Sequence, residues 1–132
     1  VVEIGDALEQ ALRLFPRFSI LARGIGVFPD IRKARILWVG LEGESLALLA
    51  IGVEAALEPA GFTREKRGFE PHLTIGRWRN FDRRAEMIRR EIDQWKEYDF
   101  GQSRVEEVVF FQSILKTEGA VYHPLRIIRL SN

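Results

Sequence analysis

His72, Thr74 and Arg77 are the residues of this chain whose types and spacing suit phosphate chemistry. In Pro71-His72-Leu73-Thr74-Ile75-Gly76-Arg77, a titratable imidazole, a hydroxyl donor and a fixed cation follow one another within six residues. Alternate residues of a strand share a face, so His72 and Thr74 would meet one phosphate while Leu73 and Ile75 turn to a core. Strict alternation puts Arg77 on the wrong face, unless Gly76 breaks the register. Each residue also has a plain structural reading. A lone histidine in an apolar strand is commonly a satisfied structural group, Thr74 suits a strand by its branching, and Arg77 would serve as a surface ion-pair partner.

A strand carrying this motif needs neighbours, and the flanking sequence supplies them. Ile4, Leu8, Ala11, Leu12 and Phe15 recur at helical spacing and predict an amphipathic helix ended before Pro16. Residues 17–28 read as a strand, with Phe18, Ile20 and Ala22 alternating and Gly24 and Gly26 marking a bend or bulge. Pro29-Asp30 makes a turn, and residues 34–40 read as a second strand paired antiparallel to the first. Leu46, Leu49, Ala50, Val53 and Leu57 predict a second helix, stopped near Pro59 and Gly61. Beyond the His72 strand, Ala85, Ile88, Ile92 and Trp95 trace a third apolar stripe under a charged face. Residues 105–115 and 120–130 read as the two last strands, separated by Lys116-Thr117-Glu118-Gly119. From residue 71 onward the order is strand, helix, strand, strand. The opening helix, strand, strand matches that unit with its first strand removed, which predicts a further strand before Val1.

The composition is that of a globular domain. At 132 residues, 46% hydrophobic and 30% charged, the chain suits one domain, residues 1–132, and neither a disordered polymer nor a membrane protein. No apolar run reaches bilayer length and no basic-then-apolar segment opens the chain. The absence of cysteine excludes disulfides and thiolate sites, so a cytoplasmic enzyme or binding domain is expected.

A net charge of +1 does not argue for nucleic-acid binding, but its distribution says more. Between Arg64 and Arg84 the basic residues Arg64, Lys66, Arg67, Arg77, Arg79, Arg83 and Arg84 outnumber Glu65, Glu70 and Asp82. Such a run is often only a solvated face, yet His72 lies in its middle, which points to an anionic ligand. No metal and no cofactor are expected. His72 and His123 have no His or Cys partner at ligand spacing, and no Gly-x-x-x-x-Gly-Lys-Ser/Thr loop is present. Gly24-Ile25-Gly26 lacks the third glycine and following helix of a dinucleotide loop. Trp38, Trp78 and Trp95 suit packing, with Trp78 beside the motif the one placed for base stacking.

His72-Leu73-Thr74-Ile75 followed by Gly76-Arg77 resembles the second signature of the 2H phosphoesterases, named for two His-x-Thr/Ser-x motifs. Gly24-Ile25-Gly26-Val27-Phe28-Pro29, the strand Arg35-Ile36-Leu37-Trp38-Val39-Gly40, and the ending Ser113-Ile114-Leu115 with Gly119-Ala120-Val121-Tyr122 and Leu125 resemble the RNA 2′,3′-cyclic phosphodiesterase branch, also called 2′-5′ RNA ligase. The similarity runs over nearly the whole chain, and blocks in the right order say more than four letters of motif.

The resemblance implies an α+β fold of two pseudo-symmetric lobes, mainly antiparallel sheets around a central cleft with helices outside. It implies hydrolysis of RNA 2′,3′-cyclic phosphate ends to 2′-phosphates, with reverse 2′-5′ joining and tRNA halves among the RNAs that fit. By carry-over, His72 is the proton acceptor, Thr74 donates to a non-bridging oxygen and Arg77 binds the anion. The family's first motif, with the proton donor, would fall before Val1, so the chain is expected to be N-terminally incomplete relative to the family. Losing one positioned acid costs roughly 10²–10⁴ in rate, so a chain with His72 alone is expected to be impaired. His123, in Tyr122-His123-Pro124, reads as a surface histidine rather than the missing donor. Two other classes stay open: a non-catalytic RNA-end or phosphate-binding module, marked by salt-dependent affinity without turnover, and a protein-interaction domain, marked by neither.

Overall fold

The computed structural model describes residues 1–66, 68–79 and 85–132. Arg67, Asp82, Arg83 and Arg84 of the basic stretch lie outside them. The elements in chain order are α1 (Val2–Leu12), β1 (Phe18–Phe28), β2 (Ile36–Glu42), α2 (Glu44–Leu57) with a 3₁₀ turn (Glu58–Ala60), β3 (His72–Arg77), α3 (Ala85–Trp95), β4 (Asp99–Val105), β5 (Glu107–Lys116) and β6 (Gly119–Arg129). The fold is α+β, and the pairs β1 with β2, β2 with β3 and β5 with β6 are antiparallel.

The chain forms two compact units. One comprises Val1–Phe18, Ala47–Phe69 and Arg104–Asn132, and the other Ser19–Leu46 and Glu70–Ser103. In the first, α1 buries Gly5, Leu8 and Leu12, a single stripe at helical spacing. Leu12, Ile128 and Leu130, each at most 3% exposed, share this unit's core with Leu8, Phe18 and Leu49. Arg126 of β6 lies against Gly5 and reaches Glu9 at 2.7 Å and Asp6 at 2.8 Å, tying the helix to the hairpin. The backbone of Ser131 bonds to Phe15 and Arg17, fixing the C-terminus beside the turn after α1.

The second unit holds most of a four-stranded sheet in the order β3-β2-β1-β4. One face is apolar: Ile25, Leu37, Val39, Ile75 and Trp78 meet Ile88, Ile92 and Trp95 of α3 around a recess of about 510 Å³. Ile25, Leu37 and Val39 share this face by the two-residue period of their strands. The bulge expected at Gly24 is present: Arg23 pairs with Gly40 and Ile25 with Val39, leaving Gly24 unpaired at φ +73°. A Cβ at Gly24 would lie 2.3 Å from the Lys96 carbonyl oxygen, so backbone crowding as well as φ demands glycine there.

Strand β4 corrects the predicted element order. Asp99-Phe100-Gly101-Gln102-Ser103-Arg104-Val105 is polar, interrupted by Gly101 at φ +109°, and lacks the alternation that marks a half-buried strand. It forms because β1 offers an edge, and Gly24 N–H donates to the Tyr98 carbonyl at 2.9 Å just before it. The unit after residue 71 is accordingly strand, helix and three strands.

Candidate active site

The site is built on β3, which is fastened at both ends. Leu41 N–H donates to the Pro71 carbonyl at 3.2 Å, and Trp78 N–H donates to the Arg35 carbonyl at 2.8 Å. Between these points His72 pairs with Gly40, Thr74 with Trp38, Gly76 with Leu37 and Arg77 with Ile36. One residue more lies on β3 than on β2 across this interval, which is a bulge at Ile75-Gly76. Because Ile36, Trp38 and Gly40 share one face of β2, their partners Arg77, Thr74 and His72 share it too. The glycine break considered from sequence therefore exists, and it brings Arg77 onto the face of the imidazole and the hydroxyl.

His72 is exposed at one side and held at the other. Its Nδ1 lies 2.8 Å from the Glu70 carbonyl oxygen. A carbonyl only accepts, so Nδ1 carries the hydrogen and, in the neutral ring, Nε2 keeps its lone pair. That is the tautomer a proton acceptor needs.

Two aromatic rings wall the imidazole. Phe28 meets it edge to face at a centroid distance of 5.1 Å, and Trp38 lies 6.4 Å away. Phe28 and Trp38 in turn pack at 5.4 Å. Trp38 lies over Gly26, where a Cβ would come within 2.1 Å of the indole. Sequence reasoning assigned Trp38 to packing and passed over Phe28. The available signal was the alternation of Ile36, Trp38 and Gly40, together with a glycine opposite the indole. Trp78, singled out for stacking, lines the apolar recess with Ile75 and Met87 on the opposite face.

The other sequence candidates separate. His123 is exposed on β6 opposite Gln112, within the first unit. Arg64, also in the first unit, pairs with Glu58 at 2.7 Å. Among the described residues no group of three or more His, Cys, Asp or Glu side chains is placed to hold a metal ion. No helix among them is long and apolar enough to cross a membrane.

An α+β chain with a His-x-Thr strand, an oriented imidazole and an arginine on the same face has an arrangement suited to phosphate-ester chemistry. The chain belongs to the 2′-5′ RNA ligase superfamily, whose model matches residues 2–113. It is 34% identical over 131 residues to the RNA 2′,3′-cyclic phosphodiesterase of Methanothermobacter thermautotrophicus, covering 96% of this chain and 68% of that protein. It is 36% identical over 128 residues to the protein of the same name from Aeropyrum pernix, covering 93% of this chain and 69% of that one. Among solved structures, TT0787 of Thermus thermophilus matches with a TM-score of 0.81 at 25% identity, covering 98% of this chain and 69% of that one. Escherichia coli LigT complexed with 3′-AMP shares the fold, with a TM-score of 0.70 at 20% identity over 100% of this chain and 71% of that one. The chain thus spans about two thirds of the length of the curated relatives it matches.

Proposed function

We propose that this chain supplies the proton acceptor and phosphate contacts for hydrolysis of RNA 2′,3′-cyclic phosphate ends to 2′-phosphates. The observation that carries the reading is the Nδ1 contact to the Glu70 carbonyl, which leaves Nε2 of His72 as the acceptor. Water attacks phosphorus as its proton passes to Nε2, the bond from phosphorus to the 3′ oxygen breaks, and that oxygen takes a proton from an acid on the far side. Thr74 donates to a non-bridging oxygen, and Arg77 offsets the charge that builds on the phosphoryl group. Residues 1–132 contain one His-x-Thr motif, and the acid is assigned to the family's other histidine motif.

The names of the matched phosphodiesterases support the substrate class. With a 5′-hydroxyl end in place of water, the same attack on phosphorus and release of the 3′ oxygen would join the two ends as a 2′-5′ linkage. RNA halves from cleaved tRNA carry ends of this chemistry, and a cytoplasmic setting would supply them. The test is a hydrolysis assay on a 2′,3′-cyclic phosphate oligonucleotide, with the end group of the product identified. His72→Ala is expected to lower kcat/KM by about 10²–10⁴. Unchanged turnover in His72→Ala would reject the reading.

A further inference from the structure

The sheet face that carries His72 continues beyond the residues assigned so far. His72 pairs with Gly40, and Gly40 pairs with Arg23, so these three form a row across β3, β2 and β1. With the rows Thr74-Trp38-Gly26 and Arg77-Ile36-Phe28 they make a three-by-three array, in which Arg77 and Arg23 occupy opposite corners and His72 the corner between them. The bulge at Gly24 sets this arrangement. Were Gly24 paired in regular register instead of bulged, Arg23 would share the face of Ile25.

Arg23 and His72 stand two strand spacings apart, about 10 Å, with only Gly40 between them. A glycine leaves no side chain over that interval, and a Cβ there would lie 2.6 Å from the Arg23 carbonyl oxygen. The floor between the imidazole and the second guanidinium is therefore the Gly40 backbone, bordered by the edge of the Trp38 ring 3.6 Å from that Cβ position.

Resting on the reading above, we propose that Arg23 binds the phosphodiester on the 5′ side of the terminal nucleotide, while His72, Thr74 and Arg77 hold its cyclic phosphate. Arg23 contacts Glu42 at 3.6 Å through one nitrogen, with the two side chains 43% and 53% exposed. A guanidinium has five N–H donors, so one carboxylate at that distance leaves most of them for a phosphate. An exposed pair of this kind contributes little, so partial exchange of Glu42 for phosphate is cheap. The contact makes the site prefer an RNA strand to an isolated cyclic nucleotide, because the latter has no 5′ phosphodiester.

The test compares binding of two probes by the full chain: a short oligoribonucleotide ending in a 2′,3′-cyclic phosphate, and a 2′,3′-cyclic mononucleotide with a free 5′ hydroxyl. Arg23→Ala is expected to weaken the oligonucleotide about tenfold and leave the mononucleotide unchanged. The slope of log affinity against log salt for the oligonucleotide should become shallower by about 0.7, one phosphate contact on a single strand. Glu42→Gln, which removes the competing carboxylate, is expected to tighten the oligonucleotide about two- to threefold. If the wild-type chain binds both probes and Arg23→Ala changes neither, or both alike, the Arg23 contact is overturned and the catalytic reading stands. If the wild-type chain binds neither probe, the underlying reading falls and the Arg23 contact with it.

Discussion

Arg77 stands opposite Ile36 while Thr74 stands opposite Trp38, so three steps along β3 answer two steps along β2. The surplus residue turns a cation that alternation would bury against the apolar recess onto the face of the imidazole. Its positive charge is thereby on the face where His72 and Thr74 are proposed to meet the phosphate.

Arg77→Ala is expected to lower kcat on a cyclic phosphate end by about 10²-fold, the typical cost of one donor to a charged transition state. Arg77→Lys should recover part of this, since charge survives but the planar fork does not. Deletion of Gly76 removes the bulge but leaves the arginine two residues after Thr74, where strict alternation keeps it on the face of His72, so this variant should retain more activity than Arg77→Ala. A deletion variant as impaired as Arg77→Ala would show that sharing the face of His72 is not what makes the arginine effective.

Gly26 is the contact on which the aromatic wall depends. A methyl group there would lie 2.1 Å from the Trp38 ring, so Gly26→Ala must displace the indole. Trp38 Nε1 is buried with no hydrogen-bond partner among the described residues, so packing alone holds the ring. Overpacking of this kind costs about 1–3 kcal/mol. A urea melt should move to a lower midpoint by that amount, and the near-ultraviolet circular dichroism of the tryptophans should change. An unchanged midpoint would mean that the indole lies elsewhere.

Arg126 joins β6 to α1 through Asp6 and Glu9. Its hydrogen bond to Asp6 raises its pKa above the ordinary arginine value, against a smaller opposing effect of burial. A raised folded-state value means that the contribution is complete at every pH below the unfolded value and fades only as the solution becomes more alkaline than that. Salt rather than neutral-range pH is therefore the lever. Arg126→Met should lower Tm at low ionic strength, and the difference should shrink in concentrated salt. A difference independent of salt would assign the effect to packing of the guanidinium plane against Gly5.

Much of this was legible because it is local. Of the stripe Ile4, Leu8, Ala11, Leu12 and Phe15, Leu8 and Leu12 are buried on α1 while Ala11 is exposed and Gly5 takes a buried place, and Ile88, Ile92 and Trp95 of the α3 stripe line the recess. Gly24 announced a bulge because a glycine inside an alternating run has little other use. What was not legible depends on partners far along the chain. The polar strand β4 exists through its neighbour β1, and Trp78 faces the recess while Phe28 and Trp38 face His72.

By itself, the sequence determined the chemistry on offer: an imidazole and a hydroxyl two residues apart, a cation at the end of the same strand, and no thiol. Covalent order and the two-residue period of a strand are enough for that. Only the tertiary structure decided which way the imidazole is protonated and which charges share its face. Those depend on the Glu70 carbonyl and on bulges at Gly24 and at Ile75-Gly76, each placed by pairing with another strand or loop. A one-residue change of register moves a side chain through the whole thickness of a sheet, so the face of Arg77 and Arg23 is fixed by the neighbouring strands rather than by their own positions in the chain.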